Sequence, residues 1–337
     1  MFTPTLQQAF APRYEPGSTR PHFEIWFAVV FERTAARAWW LRWTTFASAA
    51  GETRATIWAA AFEAGRPSCA GKAFVAVDEV RAAVAALGRG AASGRVDTDA
   101  GPLAWDLTFA GGEVPARGPA WLERVPAPTR VTHVRSEAHV TGTVRLGDGA
   151  VRRVEGVGAV KHIWGTRRVE ELFWLYCPLL DDGGAIEATG VRVRRDRGPR
   201  IAPVWLRTRG AETTWWHPPG LFRRRVVPDR PGRLRVRAAS GTACVVATAT
   251  CDPATLVGWV YRDPSGFDVY VAQSDVATCE VTWCDRRHRL ARWNEPRQMR
   301  GALAAIEFHE LTPLPGVRYV AWDARTAEGG EPCRPAM

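Results

Sequence analysis

Apolar residues at every second position recur along most of this chain, and that alternation is the period of a strand with one buried face. Phe23, Ile25, Phe27, Val29 and Phe31 share one face of the first strong segment, and Trp39, Leu41, Trp43 and Thr45 share a face of the second. The polar connection Arg33–Arg37 between them reads as a hairpin loop. Further runs follow at Arg54–Phe62, Leu103–Phe109, His139–Leu146, Val151–Trp164, Leu172–Cys177, Ala185–Val193 and Ala202–Thr208, and the pattern continues to Arg318–Asp323. Turn chemistry separates them, as in Gly147-Asp148-Gly149 and Asp263-Pro264-Ser265-Gly266. Only Asp78–Leu87 carries a helical pattern, suited to capping a barrel end.

Many short strands at regular spacing specify an all-β sandwich or barrel rather than βαβ units. Over 337 residues they overfill one small barrel, while two antiparallel units of roughly eight to ten strands each fit the length. The Pro/Arg-rich stretch Asp196–Pro203 and the segment Trp215-Trp216-His217-Pro218-Pro219-Gly220 place a junction near residues 195–220. Residues 1–205 are then expected to form an N-terminal barrel and 206–337 a C-terminal one, with His217 a loop residue.

No run approaches the roughly 20 apolar residues of a membrane span. The first ten residues have neither a basic start nor an apolar core, so a cytoplasmic protein is expected. The seven cysteines, Cys333 among them, are scattered without a C-x-x-C pair. Neither a disulfide framework nor a zinc site is indicated, and most are expected to be reduced and buried. No metal site is expected around His133 and His139 either, since neither carboxylate nor Cys accompanies them at ligand spacing. The net charge of +10 rests almost wholly on arginine, spread along the chain with no nucleic-acid-binding motif beside it, so nucleic acid is not the expected partner. The 16 tryptophans are the more telling excess, because indoles recur in cavities and interfaces.

The stretch from Val154 to Cys177 concentrates the chemistry. His162 and Trp164 share a strand face with Gly156, Gly158 and Val160, a face that reads either as a packed barrel corner or as the floor of a ligand cavity. His162 is a candidate acid or base, since imidazole titrates near neutrality. Glu171 and Glu187 are candidate acids, because a carboxyl in an aromatic, poorly hydrated cavity can stay protonated. Trp174 and Tyr176 lie on the opposite face of their strand from Phe173, Leu175 and Cys177, and together with Trp164 could stabilise a developing cation. Arg42, set among Trp39, Trp40 and Trp43, is either an exposed residue stacked between indoles or a buried guanidinium orienting a polar ligand group, helped by Glu24 or Glu32.

These residues resemble the lipocalin-like family of bacterial carotenoid 1,2-hydratase (hydroxyneurosporene synthase) and the fungal Diels–Alderase-type pericyclases. The early pair Phe23-Glu24-Ile25-Trp26-Phe27 and Trp40-Leu41-Arg42-Trp43-Thr44 resembles the family's first hairpin, and His162-Ile163-Trp164-Gly165 matches its His-x-Trp-Gly motif. Gly258–Gly266 running into Val269–Ser274 is similar to lipocalin-like second domains. The resemblance implies two calycin-type antiparallel β-barrels in tandem and a cofactor-free reaction on an apolar isoprenoid or polyketide. It implies His162 and Trp164 as site residues; Trp26, Trp43 and Arg42 of the first hairpin are further candidate substrate contacts. The family's Tyr and acid on a following strand are met here by Gly184–Thr189, which offers Glu187 but no Tyr-x-Asp. The expected function is hydration, cyclisation or isomerisation of a hydrophobic small molecule in secondary metabolism. Glu187 or Glu171 would protonate an alkene and His162 would handle the water. A non-catalytic carrier with the same cavity is the other reading, and an apolar ligand would bring either into transient contact with a membrane surface.

Overall fold

The computed structural model describes residues 6–15, 17–18, 20–113, 127–216 and 224–323. His217, Cys333 and most of the Trp215–Gly220 segment lie outside the described residues. Helix α1 (Leu6–Phe10) precedes β1 (His22–Glu32), β2 (Arg37–Ala47), β3 (Thr53–Glu63) and β4 (Cys69–Val75). After α2 (Val77–Gly88) come β5 (Ala91–Thr98), β6 (Gly101–Ala110), β7 (Thr129–Leu146) and β8 (Arg152–Gly165). These eight strands form one antiparallel sheet in the order β4-β3-β2-β1-β8-β7-β6-β5. Its two edges meet: the Ala70 amide of β4 donates to the Asp99 carboxylate just past β5 (3.1 Å), and Gly71 abuts the Asp97 backbone so closely that no Cβ would fit. Closure removes the open edges. Helix α2 buries Val80, Val84 and Leu87, spaced to share one face, against this barrel, and the Ala76 amide at its start donates to Glu79 (3.1 Å).

The second sheet takes β9 (Glu171–Cys177), β10 (Ala185–Arg192), β11 (Val204–Thr208), β12 (Ala211–Trp215), β13 (Arg225–Arg230), β14 (Arg233–Ala239) and β15 (Ala243–Thr250). It also takes β16 (Val257–Arg262), β17 (Asp268–Asp285), β18 (Arg297–Glu310) and the two-residue β19 (Tyr319–Val320). Its main path runs β12-β11-β10-β9-β18-β17-β15-β14-β13 and curls until Val226 of β13 lies on Gly190 of β10. The sheets therefore change over between Gly165 and Glu171, and residues 171–205, assigned from sequence to the N-terminal unit, supply strands to the second sheet. The Pro/Arg-rich stretch is a connection within that sheet, between β10 and β11.

Three apolar cores follow from the alternation. Even-numbered residues of β1 and odd-numbered residues of β2 and β3 fill the first barrel, around Trp26, Trp39 and Trp43. Phe173, Leu175 and Cys177 of β9 face the interior of the second. The complementary faces, with Phe27, Phe31, Trp40 and Trp58 from the first sheet and Trp174, Tyr176, Trp259 and Tyr261 from the second, pack together between the barrels. Strands β1 and β2 are buried on both faces, which is why Trp39 and Trp40 can be adjacent and both buried. One pair of cysteines departs from the expected reduced state: Cys244 and Cys284 are register partners on β15 and β17 and form a disulfide. Cys69, Cys177, Cys251 and Cys279 are free and buried.

Candidate functional site between the barrels

The residues singled out from sequence fall in three places. His162, Trp164, Trp26 and Trp43 belong to the inner face of the first barrel, where Trp26 stacks on His162 (ring centroids 4.7 Å) and Trp164 tilts against it (4.6 Å). His162 is fully buried, with Nδ1 2.8 Å from the Ala9 carbonyl oxygen and Nε2 2.8 Å from Glu24 Oε1. Both partners accept, so each ring nitrogen donates. Glu24 accepts in addition from the amides of Arg13 (2.7 Å) and Tyr14 (2.9 Å). Burial pushes the Glu24 pKa up, but hydrogen bonds from His162 and His22, the His162 charge and the Tyr14 amide outweigh it and hold the group at about 2. With Trp26 Nε1 donating to the Phe10 carbonyl (3.1 Å), the His162–Glu24 pair latches the N-terminal segment onto the barrel.

The glycines beside His162 do not leave space for a ligand. A Cβ at Gly156 would collide with the Phe31 carbonyl oxygen of β1, and one at Gly158 would lie 2.7 Å from Val140 Cγ2. They admit the neighbouring strands instead.

Glu171 lies on the inward face of β9, where Arg200 Nε and Nη2 bind its Oε1 at 2.8 and 2.7 Å. It is thus held apart from Glu187, at the rim of the second barrel. A cavity of about 240 Å³ opens at the same end, lined by Phe173, Phe308, Glu310 and Leu314.

The seam between the sheets unites Glu187, Trp174, Tyr176 and Arg42. Glu187 pairs in register with Tyr176 across β10 and β9, so their side chains share the seam face. Its carboxylate, 6% exposed, forms an ion pair with Lys161 and accepts from Trp174 Nε1 (3.0 Å), while His133 Nδ1 stands 3.5 Å from its other oxygen. Lys161 lies over the Trp174 ring, 4.3 Å from its centroid. Lys161 and His133, neighbours across β8 and β7, were missed as partners of Glu187 because each alone is an ordinary strand residue; only the pairing register brings them onto it. A cavity of about 400 Å³ opens at this end, lined by Arg33, Glu137, Val157, Leu179, Asp181 and Arg207 among others. Val157 shares the seam face of β8 with Lys161 four places on, and Arg207 pairs with Ala185, two places from Glu187.

Further along the seam, Arg42 is buried against Tyr261, 3.9 Å from the ring centroid. Glu24 and Glu32 do not assist it: they face the first barrel's interior, Glu24 toward His162 and Glu32 toward Trp39 Nε1 (2.8 Å). Beyond lies a second carboxyl that sequence reasoning missed, Asp275, fully buried at the bulge of β17 and receiving the Gln273 amide at 3.2 Å. Burial raises Asp275 far above the ordinary range, against the Gln273 hydrogen bond and with Glu307 adding to the rise. The carboxyl whose pKa burial raises is thus Asp275, while Glu187 sits among donors.

No protein-family model matches the chain, and no curated protein sequence matches it. Solved structures do. A protein from Nitrosomonas europaea described as an AttH shares 13% identity over 88% of this chain and 98% of its own, with a TM-score of 0.51. Kievitone hydratase from Nectria haematococca shares 11% over 90% and 95%, TM-score 0.52. CghA, solved with Sch210972, shares 11% over 86% and 89%, TM-score 0.50. The likeness runs through nearly the whole chain, whose fold is that of these structures: all-β, two lipocalin-like barrels in tandem.

Proposed function

We propose that the chain binds a hydrophobic small molecule in the seam between its barrels and converts it, without a cofactor, by hydration or cyclisation. The observation that carries this reading is the convergence of Glu187, Lys161, His133, Trp174 and Tyr176 in the seam, at the end where the 400 Å³ cavity opens. Likeness to a hydratase and the sequence resemblance to carotenoid hydratases and pericyclases support the reaction class. In a hydration, His133 as imidazolium gives its proton to one alkene carbon. The cation left on the other carbon is sheltered by the Trp174 and Tyr176 faces, which attract positive charge. Water adds its oxygen there and yields a proton to Glu187, and that proton returns to His133 across their 3.5 Å contact, leaving an alcohol. Lys161 keeps Glu187 ionised between turnovers. Cyclisation uses the same first proton, with an internal double bond in place of water and Glu187 removing the last proton.

The test is a panel of isoprenoid and polyketide alkenes incubated with the protein in ¹⁸O-water and analysed by mass spectrometry. Hydration appears as a labelled alcohol and cyclisation as an unlabelled isomer, and Glu187→Gln lowers either by about 10²–10⁴-fold. Every compound returned unchanged, or a Glu187→Gln variant with full turnover, would defeat the reading.

A further inference from the structure

Arg42 stands at the middle of β2 on the seam face, 3% exposed. Its guanidinium lies over Tyr261 (3.9 Å), Trp58 (5.2 Å) and Trp40 (5.9 Å), and the Tyr261 hydroxyl is its hydrogen-bonding neighbour. Its Nε and Nη2 have no hydrogen-bond partner among the described residues. Those two N–H groups form one edge of the guanidinium and point in parallel, the edge that grips two oxygens at once. Buried donors in folded proteins are nearly always paired, so an unmatched fork in an aromatic cage calls for an acceptor.

The surrounding charge points the same way. Arg168 is a second buried guanidinium over the same Tyr261 ring (5.2 Å), and the Lys72 ammonium lies 4.6 Å from the Trp58 centroid. Burial lowers the pKa of Arg168 to about 9 and of Lys72 to about 7, and the Arg42 charge contributes to both. The carboxylates within reach are already engaged. Glu307 is bound to His309 (2.8 Å), and Asp263 takes the Arg168 and Ser265 amides.

We infer that the Nε–Nη2 edge of Arg42 holds a planar, two-oxygen anionic group of the substrate, a carboxylate or an enolised 1,3-dicarbonyl. The inference rests on the seam being the binding site and narrows the substrate to an oxygenated acyl or enol compound. A hydrocarbon isoprenoid leaves the fork as unmatched in the complex as in the free protein. Sites built around such donors discriminate strongly against ligands lacking the acceptor.

Two matched probe pairs test it by quenching of tryptophan fluorescence. They are all-trans-retinoic acid against its methyl ester, and dibenzoylmethane against chalcone, which lacks the second oxygen. The wild-type protein should prefer the two-oxygen member of at least one pair by about tenfold or more, and that pair identifies the source of the group. Arg42→Met should abolish the preference while leaving the weaker member's affinity within about twofold. Arg42→Lys, which keeps the charge without the fork, should lose most of it. Free Arg42→Met should melt no lower than wild type, since Glu307 retains His309 and a buried unmatched charge has been removed. Equal affinities within both pairs, or full preference retained in Arg42→Lys, would overturn the Arg42 assignment while leaving seam binding standing. A free Arg42→Met protein that melts well below wild type would assign the guanidinium a structural role and overturn it too. If none of the four probes binds, the seam reading fails and this inference with it.

Discussion

Replacing Glu24 by Gln should destabilise the protein at neutral pH and cease to matter in acid. In the fold the Glu24 carboxylate lies at about 2, against 4.5 unperturbed, and a gap of that size corresponds to about 3 kcal/mol of folding free energy. A carboxyl whose folded pKa lies below its unfolded one contributes fully above the unfolded value and loses that contribution as pH falls toward the folded one. The stabilisation should therefore be complete above about pH 5 and fade between pH 4.5 and 2. Removing one partner of the fully buried His162–Glu24 pair gives a similar figure, about 3–5 kcal/mol. Urea denaturation at a series of pH values gives the difference directly, and hydrogen exchange at the Arg13 and Tyr14 amides, which donate to Glu24, reports the latch itself. A Glu24→Gln offset unchanged from pH 7 to pH 3, or no offset at pH 7, would refute the pairing.

Lys161→Met should lower turnover along with Glu187→Gln, because Glu187 loses its counter-charge; equal rates for Lys161→Met and wild type on an accepted substrate would separate the two groups. Gly156→Ala should cost about 1–3 kcal/mol without altering ligand affinity, since the missing Cβ makes room for the Phe31 carbonyl rather than for substrate; calorimetry and probe titration check the two halves. Reducing Cys244–Cys284, which closes a loop across a separation of 40 residues, should lower stability by about 4 kcal/mol in the chain-entropy treatment, read as a drop in melting temperature with dithiothreitol.

Period-two patterning was enough to read most of the strands. The Asp78–Leu87 helix lies within α2 at Val77–Gly88, and the Phe23–Phe31 and Trp39–Thr45 runs lie within β1 and β2. Patterning failed where the backbone leaves the plain ladder. Strand β17 runs unbroken from Asp268 to Asp285, but irregular register between Ser274 and Cys279 breaks its alternation. The first part of β7, before the shift at Arg135–Ala138, does not read as strand for the same reason, so His133 is weighed from sequence only as a metal ligand and not as a neighbour of Glu187. The site was half legible. Glu187, Trp174, Tyr176 and Arg42 were named from local sequence, but Lys161 takes its place from a partner on another strand and Asp275 from its burial at the β17 bulge. His162 drew attention as an imidazole among glycines and indoles, and nothing in its own strand shows that Ala9 and Glu24 occupy both its nitrogens.

The most direct test is a crystal structure of the wild-type protein with retinoic acid or an accepted substrate bound. The account predicts the ligand between the two sheets, with its apolar body against Trp174 and Tyr176, Glu187 within hydrogen-bonding reach of the reacting end, and the His162–Glu24 contact unbroken. A ligand enclosed in the first barrel against His162 and Trp164, or seated only at the Phe173–Phe308 rim of the second, would contradict it.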